Sequence, residues 1–290
     1  MQLLSNEVKT LSVSVCSLLL VCGAVSLDAE EEAAKTGNAK SLAAAETAFA
    51  AEALAKGTRT AFLHALSKES TAFLPGPVNG LQGWGAKPES KAVLQWQPVL
   101  AATSTTGDFG YTTGPWSFKN DPADKEAATH GQFVSIWRWE NGQWKLSFDL
   151  GSENPAPTEP APELQLAENH APNEAAEDAQ PVMRAHDGRY AADRAGQLAG
   201  CAEENIRLYL PKQFPIIGSA EATAALKKEA APFKFGSPKG GEVSRGGDLG
   251  FVWGEYTAAP ATEVSGYYMR IWRKDRAGEW KLALDLQHPR

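Results

Sequence analysis

The residues of this chain that could transfer a proton are few and scattered. Asp149 stands near the end of a strand-like segment, where a desolvated carboxylate could accept a proton at a pocket rim. His64 and His130 are candidates for the same chemistry, although a lone histidine is more often a surface or core residue. Lys145 precedes Asp149 by four residues, so a same-face Lys–Asp pair on an exposed strand, worth under about 1 kcal/mol, is the favoured interpretation. Asp285 repeats the arrangement.

The other patterns that carry catalysis or cofactor binding do not occur in the sequence. It has no clustered acids, His-x-His or paired cysteines with ligand spacing, so neither a metal site nor a cofactor is predicted. It also has no Gly-x-Ser-x-Gly motif, and the glycine-rich stretch 236–241 lacks the spacing of a phosphate-binding loop. Hydrolase chemistry through an activated serine is therefore not predicted.

Aromatic residues supply a second kind of candidate, the wall of an apolar binding site. All the tryptophans fall between Trp84 and Trp280, many of them in strand-like segments. A pocket lined by such side chains would bind a small apolar or aromatic ligand, whereas the alternative for each residue is an ordinary place in the core. The candidate ligand-binding residues are Trp96, Tyr111, Trp137, Trp253 and Trp272.

Most of these residues lie in segments that occur twice, in the same order and at similar spacing. A repeat of this kind predicts a duplicated domain. The paired segments are GDFGYTTGPW at 107–116 with GDLGFVWGEY at 247–256, GQFVSIWR at 131–138 with GYYMRIWR at 266–273, and GQWKLSFDL at 142–150 with GEWKLALDL at 278–286.

Each copy has helix-like patterns first and strand-like patterns afterwards. Leu42, Ala45, Phe49 and Ala53 keep the three-and-four spacing of one helix face, and Gly57 is predicted to end that helix. Asn141-Gly142 is a strong hairpin signal between two alternating segments. Each copy is therefore predicted to be helices followed by a curved antiparallel sheet.

Each copy resembles the nuclear-transport-factor-2-like superfamily, in particular its SnoaL-like branch and exported relatives known only as domains of unknown function. The strands GDFGYTTGPW and HGQFVSIWR and the hairpin end NGQWKLSFDLG carry the resemblance, with their counterparts in the second copy. It implies an α+β fold of two tandem cone-shaped (cystatin-like roll) domains, each with N-terminal helices packed on a curved antiparallel sheet around a pocket. Enzymes of the superfamily generally place an Asp or His inside the cone. The fold also hosts binding modules, so it does not decide function.

The first 26 residues have the pattern of a signal peptide. Lys9 precedes an apolar run over 11–21, and Ala24-Val25-Ser26 is a small-x-small cleavage pattern. The run is shorter than the roughly 20 residues that span a membrane, although a retained anchor is the alternative. We therefore predict an exported protein, periplasmic or extracellular, with no stable membrane span after cleavage. Cys201 would be its single cysteine, a small buried hydrophobe.

Charge and proline content divide the rest of the chain. The segment 151–180 holds seven acids and no Lys or Arg, which equals the net charge of −7. The remainder is close to neutral without a basic stripe, so nucleic-acid binding is not predicted. The predicted divisions are an acidic lead-in at 27–39, domain 1 at 40–151, an extended acidic Pro-rich linker at 152–183, and domain 2 at 184–290.

The strand-like segments are apolar on both faces, so each sheet must be covered on both sides. We expect each domain's helices to cover one side and the other domain's sheet to cover the other, as an intramolecular pseudo-dimer. The favoured function is a non-catalytic small-molecule binding or interaction module. The alternative is a SnoaL-like isomerase, dehydratase or hydrolase acting in domain 1, where the segment 77–84, with Gly80 and Trp84, has no clear match in domain 2.

Overall fold

The structure is a computed structural model that describes residues 36–229 and 233–290. The predicted signal peptide at 1–26 and most of the lead-in at 27–39 lie outside the described residues. Residues 36–290 form one compact unit. No helix within the described ranges is long and apolar enough to cross a membrane.

Domain 1 begins with a capped helix whose buried face includes an acid. In α1 (Ala39–Lys56), the Asn38 side chain accepts a hydrogen bond from the backbone N–H of Ser41 at 2.8 Å, which caps the N-terminus. Leu42, Glu46 and Phe49 follow at helical spacing, and all three are buried. Helices α2 (Thr58–Ala65) and α3 (Gly80–Ala86) continue the helical layer.

The sheet of domain 1 curves around these helices. Its strands follow the order β2-β1-β7-β6-β5-β4-β8, and β3 also pairs with β5. Asn141 and Gly142 have positive φ angles of 51° and 81° at the predicted hairpin between β6 and β7. The strands are β1 (Leu66–Phe73), β2 (Pro77–Asn79), β3 (Val93–Trp96), β4 (Leu100–Thr103), β5 (Phe109–Lys119), β6 (Thr129–Glu140), β7 (Gln143–Asn154) and β8 (Gln165–Glu168).

Domain 2 repeats this arrangement with the sheet order β10-β9-β15-β14-β13-β11, with β12 also paired to β13. Its helical layer and sheet confirm the predicted α+β fold of two tandem cones. Its helices are α4 (Ala176–Ala192), α5 (Arg194–Cys201) and α6 (Ser219–Leu226), and its strands are β9 (Ala202–Tyr209), β10 (Ile216–Ile217), β11 (Phe233–Phe235), β12 (Gly240–Val243), β13 (Leu249–Ala258), β14 (Gly266–Lys274) and β15 (Trp280–Pro289).

The segment predicted to be an extended solvated linker is partly folded. Strand β8 joins the edge of the first sheet, with Leu100 opposite Gln165 in parallel pairing, and helix α4 begins at Ala176 rather than after 184. The edge of β4 offers unpaired backbone groups that β8 can satisfy whatever its side chains are, so acidic composition did not prevent pairing. Residues 155–164 and 169–175 of the segment have no regular helix or strand.

The convex faces of the two sheets pack on each other. Phe148 lies 5.0 Å from Phe251 between ring centroids, and Phe73 lies 5.5 Å from Trp253. At one end of this interface, the Asp248 carboxylate accepts hydrogen bonds from the backbone N–H and the hydroxyl of Thr105. Residues of both sheets thus form one apolar cluster, which covers the face of each sheet opposite its helices.

Candidate functional site

Domain 1 encloses a cavity of about 640 Å³ between its helices and the concave face of its sheet. Six of its wall residues from domain 1 are aromatic, and Gly131 leaves room for one of them, since a Cβ there would lie 2.4 Å from the Trp116 indole. The wall residues are Phe49, Phe62, Leu94, Trp96, Trp116, Phe118, Thr129, Phe133, Ser135, Asp149, Gly151 and Glu153. A cavity of this size and lining is suited to a small organic molecule.

Asp149 is the carboxylate at the inner end of this cavity. It lies opposite Ser135 in the β6–β7 pairing, and the Ser135 hydroxyl donates to Asp149 Oδ1 at 2.9 Å. Burial raises the pKa of Asp149 to about 7 and outweighs the Ser135 hydrogen bond, which lowers it, while the charge of Glu46 makes a smaller upward contribution. No Lys or Arg pairs with it among the described residues. Near neutral pH this group can therefore both give and take a proton.

A second acid, Glu46 of α1, lies behind the cavity wall and is fully buried. It accepts hydrogen bonds from Trp96 Nε1 at 2.6 Å, Thr112 Oγ1 at 2.5 Å and Trp137 Nε1 at 3.0 Å. Burial raises the pKa of Glu46, although these donors act in the opposite direction. Glu46 thus orients two indole rings of the site and adds negative charge next to Asp149.

The mouth of the cavity receives residues from domain 2. Lys212, His288 and Arg290 contribute to its rim. The Lys212 backbone N–H donates to the Glu153 carbonyl oxygen at 2.8 Å, and His288 Nδ1 donates to the Gly151 carbonyl oxygen at 2.6 Å. The site of domain 1 is therefore completed by the second domain.

The cone of domain 2 is filled by its own side chains. Arg270 occupies the position that Ser135 has in domain 1, and its guanidinium is fully buried. It pairs with Asp187 at 3.2 Å and with Asp285 at 3.3 Å. The same guanidinium lies 4.3 Å from the ring centroid of Tyr268 and 4.5 Å from that of Phe235.

Asp285 is the counterpart of Asp149, yet its electrostatic state is the opposite. Arg194 Nη2 lies 2.9 Å from Asp285 Oδ2, and the Tyr190 hydroxyl donates to the same oxygen at 2.8 Å. Although burial favours the neutral acid, the guanidinium groups of Arg194 and Arg270 hold the pKa of Asp285 below its ordinary value. Domain 2 keeps the acid and neutralises it internally.

The expected same-face Lys–Asp pair does not form in either domain. A β-bulge breaks the pairing between Ile136 and Trp137, so that Leu146 packs in the cone cluster while Phe148 packs between the sheets. Lys145 Nζ donates instead to the carbonyl oxygen of His64 at 2.8 Å, and Asp149 faces the cavity. The sequence separation of four residues assumed a regular strand, and an equivalent bulge follows Ile271 in domain 2.

The two histidine candidates do not line the cavity with Asp149. His64 is exposed at the end of α2, where its Nδ1 lies 2.8 Å from Glu52 Oε1. His130 lies on β6 next to the wall residue Thr129, but it is not part of the wall itself. The structure therefore brings Asp149 alone of these three residues to the site.

The predicted aromatic binding residues lie in four different places. Trp96 lines the domain 1 cavity, and Trp137 packs beneath it with its indole N–H on Glu46. Tyr111 and Trp253 belong to the interface between the sheets. Trp272 lies in the core of domain 2, where its Nε1 donates to Asp187 at 3.2 Å.

Sequence analysis missed Glu46, although a signal was present. Glu46 is four residues after Leu42 and three before Phe49, so the helix period places an acid in the middle of the apolar face. An acid at such a position must be hydrogen-bonded or protonated, which marks it as a site candidate. The counterpart in domain 2 is Asp187, between Met183 and Tyr190 on α4.

No protein-family model matches the chain, and no curated protein matches it. Solved structures that are similar to it include a conserved protein from Planctomyces limnophilus (18% identity, 39% of this chain and 97% of that one, TM-score 0.30). An NTF-2 like protein of unknown function from Shewanella oneidensis matches at 17% identity (37% and 92%, TM-score 0.31). A cystatin-like-fold domain of unknown function from Nostoc punctiforme matches at 13% (39% and 78%, TM-score 0.32).

Proposed function

We propose that domain 1 binds a small, neutral, largely aromatic molecule that carries one polar group. The observation that supports this most directly is the 640 Å³ cavity whose aromatic walls converge on Asp149. An apolar wall favours an apolar ligand body, and one buried polar group fixes its orientation. An anionic group at the inner end is disfavoured, because Glu46 and Asp149 lie there without a paired cation among the described residues.

Two bicyclic probes test the role of Asp149, and quenching of tryptophan fluorescence measures their binding. 2-Naphthol donates a hydrogen bond, so its affinity rises from pH 6 to pH 8 as Asp149 ionises. 2-Tetralone only accepts one, so its affinity falls over the same range as the protonated acid disappears. Asp149→Asn removes both pH dependences, and one hydrogen bond corresponds to roughly tenfold in affinity. Flat pH profiles for both probes in the wild type would contradict this role.

A steric test introduces into domain 1 the arginine that domain 2 has at the equivalent position. Ser135→Arg places a guanidinium in the cone, as Arg270 does in domain 2, and is expected to abolish binding of both probes. The matched control is Gln143→Arg, which adds the same charge at an exposed hairpin position and leaves binding unchanged. Equal binding by wild type and the Ser135→Arg protein would place the probes outside this cavity.

Proton transfer is a second candidate function, supported by the pKa of Asp149 near 7. For a ketone, the carboxylate would take the proton of the α-carbon, the C–H electrons would form the enolate, and the proton would then return to carbon. The experiment follows exchange of the α-hydrogens of 2-tetralone in D2O. Exchange above the buffer rate that Asp149→Asn abolishes supports an enzyme, whereas binding without exchange leaves a binding protein.

A further inference from the structure

A second cavity lies between the two domains, away from the domain 1 cone. It has a volume of about 350 Å³ and is bordered by β8, by Tyr111 of β5 and by the β9 and β14 strands of domain 2. Three charged side chains face it, namely Arg207, Arg273 and Glu203. It differs from the aromatic cavity in being lined largely by polar groups.

Arg207 is unusual in being a buried cation without a carboxylate partner. Its neighbours Ile206 and Leu208 pack in the domain 2 core, so strand alternation turns Arg207 toward domain 1. The residue is 8% exposed, and no carboxylate lies within ion-pair distance of it among residues 36–229 and 233–290. Arginine is seldom buried in this way unless it is paired.

The other charges at this cavity do not balance Arg207. Arg273 Nε lies 2.9 Å from Glu203 Oε1, so the one carboxylate that lines the cavity already has a cation. Tyr111 is 2% exposed, and its hydroxyl has no hydrogen-bond partner among the described residues. The cavity therefore offers one positive charge in excess and a free donor.

The internal repeat shows what this side of the interface lacks. On the other side, Arg138 of domain 1 pairs with Glu242 of domain 2, with 2.9 Å between Nε and Oε2. Arg273 is the repeat counterpart of Arg138, and Ala102 is the counterpart of Glu242, since these two residues pair with Tyr111 and Phe251 respectively. One half of the pseudo-symmetric interface thus has a carboxylate where the other half has a methyl group, and the two residues paired with Ala102, Tyr111 and Ala167, line the cavity.

We propose that this interdomain cavity binds a small oxyanion, a carboxylate or phosphate group, between Arg207 and Arg273. The planar guanidinium groups donate paired hydrogen bonds to such a group, and the Tyr111 hydroxyl supplies a further donor. The bound anion takes the place that Glu242 has on the opposite side. It also links β8 to domain 2, because β8 borders the same cavity.

Thermal unfolding of the full chain tests the proposal, with sodium succinate and sodium phosphate as probes and sodium chloride at equal ionic strength as reference. A ligand that binds the folded state raises Tm, here by about 4 °C near saturation. Arg207→Gln abolishes the rise. The matched control Arg189→Gln removes an exposed arginine of α4 and is expected to keep the rise in Tm. A larger rise with one probe identifies that anion class as the preferred ligand.

Two further variants keep the test valid if Arg207→Gln does not fold. Tyr111→Phe reproduces the ring that domain 2 has at Phe251 and weakens anion binding about threefold to tenfold through loss of one donor. Ala102→Glu supplies the carboxylate that Glu242 provides on the other side, and so removes the response to added anion. Equal Tm values in succinate, phosphate and chloride, or a rise that survives in the Arg207→Gln and Ala102→Glu proteins, would overturn the proposal.

Discussion

The cones of the two domains contain acids at the same two positions, but only domain 2 pairs these acids with arginines. Glu46 and Asp149 in domain 1 correspond to Asp187 and Asp285 in domain 2, and a tryptophan indole donates to the helix acid in both. In domain 1 the small Ser135 leaves a cavity and an uncompensated carboxylate. In domain 2 the counterpart of Ser135 is an arginine that fills the space.

This difference leaves a cavity in the cone of domain 1 and a filled core in the cone of domain 2. Two acids in a low-dielectric interior repel each other unless a cation or a proton intervenes. Domain 2 supplies the cations Arg270 and Arg194, the second of which also pairs with Glu229 at 3.1 Å. Domain 1 must protonate an acid or bind a ligand that satisfies it. The serine-to-arginine difference therefore helps to fill the domain 2 cone and to neutralise its acids.

The largest expected effect is in domain 2. Arg270→Ser gives this domain the residue that domain 1 has, and leaves Asp187 and Asp285 with less cationic charge around them. Breaking a buried ion pair from one side costs about 3–5 kcal/mol, so the free energy of unfolding is expected to fall by that amount. Urea unfolding at pH 7 measures it. A change below about 1 kcal/mol would show that the ion pairs do not hold the domain 2 cone together.

Replacing the strand aspartate by asparagine is expected to change the free energy of unfolding in opposite directions in the two cones. Asp149 has a pKa near 7 in the folded chain and near 4 when unfolded, so the folded state binds the extra proton and loses stability as pH rises from 4 to 7. Asp149→Asn removes this loss and raises the free energy of unfolding at pH 8 by about 2–4 kcal/mol.

Asp285→Asn is the matched variant, and it destabilises by about 3–5 kcal/mol because Arg194 and Arg270 lose their shared partner. The pKa of Asp285 is lowered, so its contribution to stability is present above the unfolded pKa and is lost as pH falls. Urea unfolding of both variants at pH 5 and pH 8 measures these trends. Equal signs at pH 8 would contradict the difference between the cones.

A smaller effect is expected for the donors to Glu46. Trp96→Phe keeps the ring in the wall but removes the 2.6 Å hydrogen bond to Glu46, at a cost of about 1–3 kcal/mol. Trp84→Phe is the control, because the Trp84 indole N–H is buried and has no hydrogen-bond partner among the described residues. Comparing the unfolding free energies of the two proteins tests whether Glu46 needs this donor.

The smallest effect is expected at Lys145. Its ammonium group donates to the His64 carbonyl oxygen rather than to Asp149, so Lys145→Ala is expected to change stability by less than about 1 kcal/mol. It should also leave the pKa of Asp149 near 7, as measured from the pH dependence of probe binding. A rise in that pKa would show that Lys145 does pair with Asp149, as the sequence suggested.

Most of the fold could be predicted from short-range patterns. Helical spacing at Leu42 and Phe49 indicated α1, and Asn141-Gly142 indicated the β6–β7 hairpin, since both depend only on residues close in sequence. The candidate site was harder to predict. Strand periodicity put Lys145 beside Asp149, and one bulge changed the face on which Asp149 lies. Neither β8 nor the cation-lined interdomain cavity follows from local pattern, because both depend on which strand edge a distant segment meets.

The sequence by itself determined the duplication, the order of helices and strands in each copy, and the conserved positions of the strand aromatics and of Asp149 and Asp285. These features depend on composition and spacing within a few tens of residues. Only the tertiary structure decided that Glu46 approaches Asp149 in one cone and that Arg270 lies between two acids in the other. Burial and pairing set the charge of a carboxylate, and both arise only when distant segments pack together.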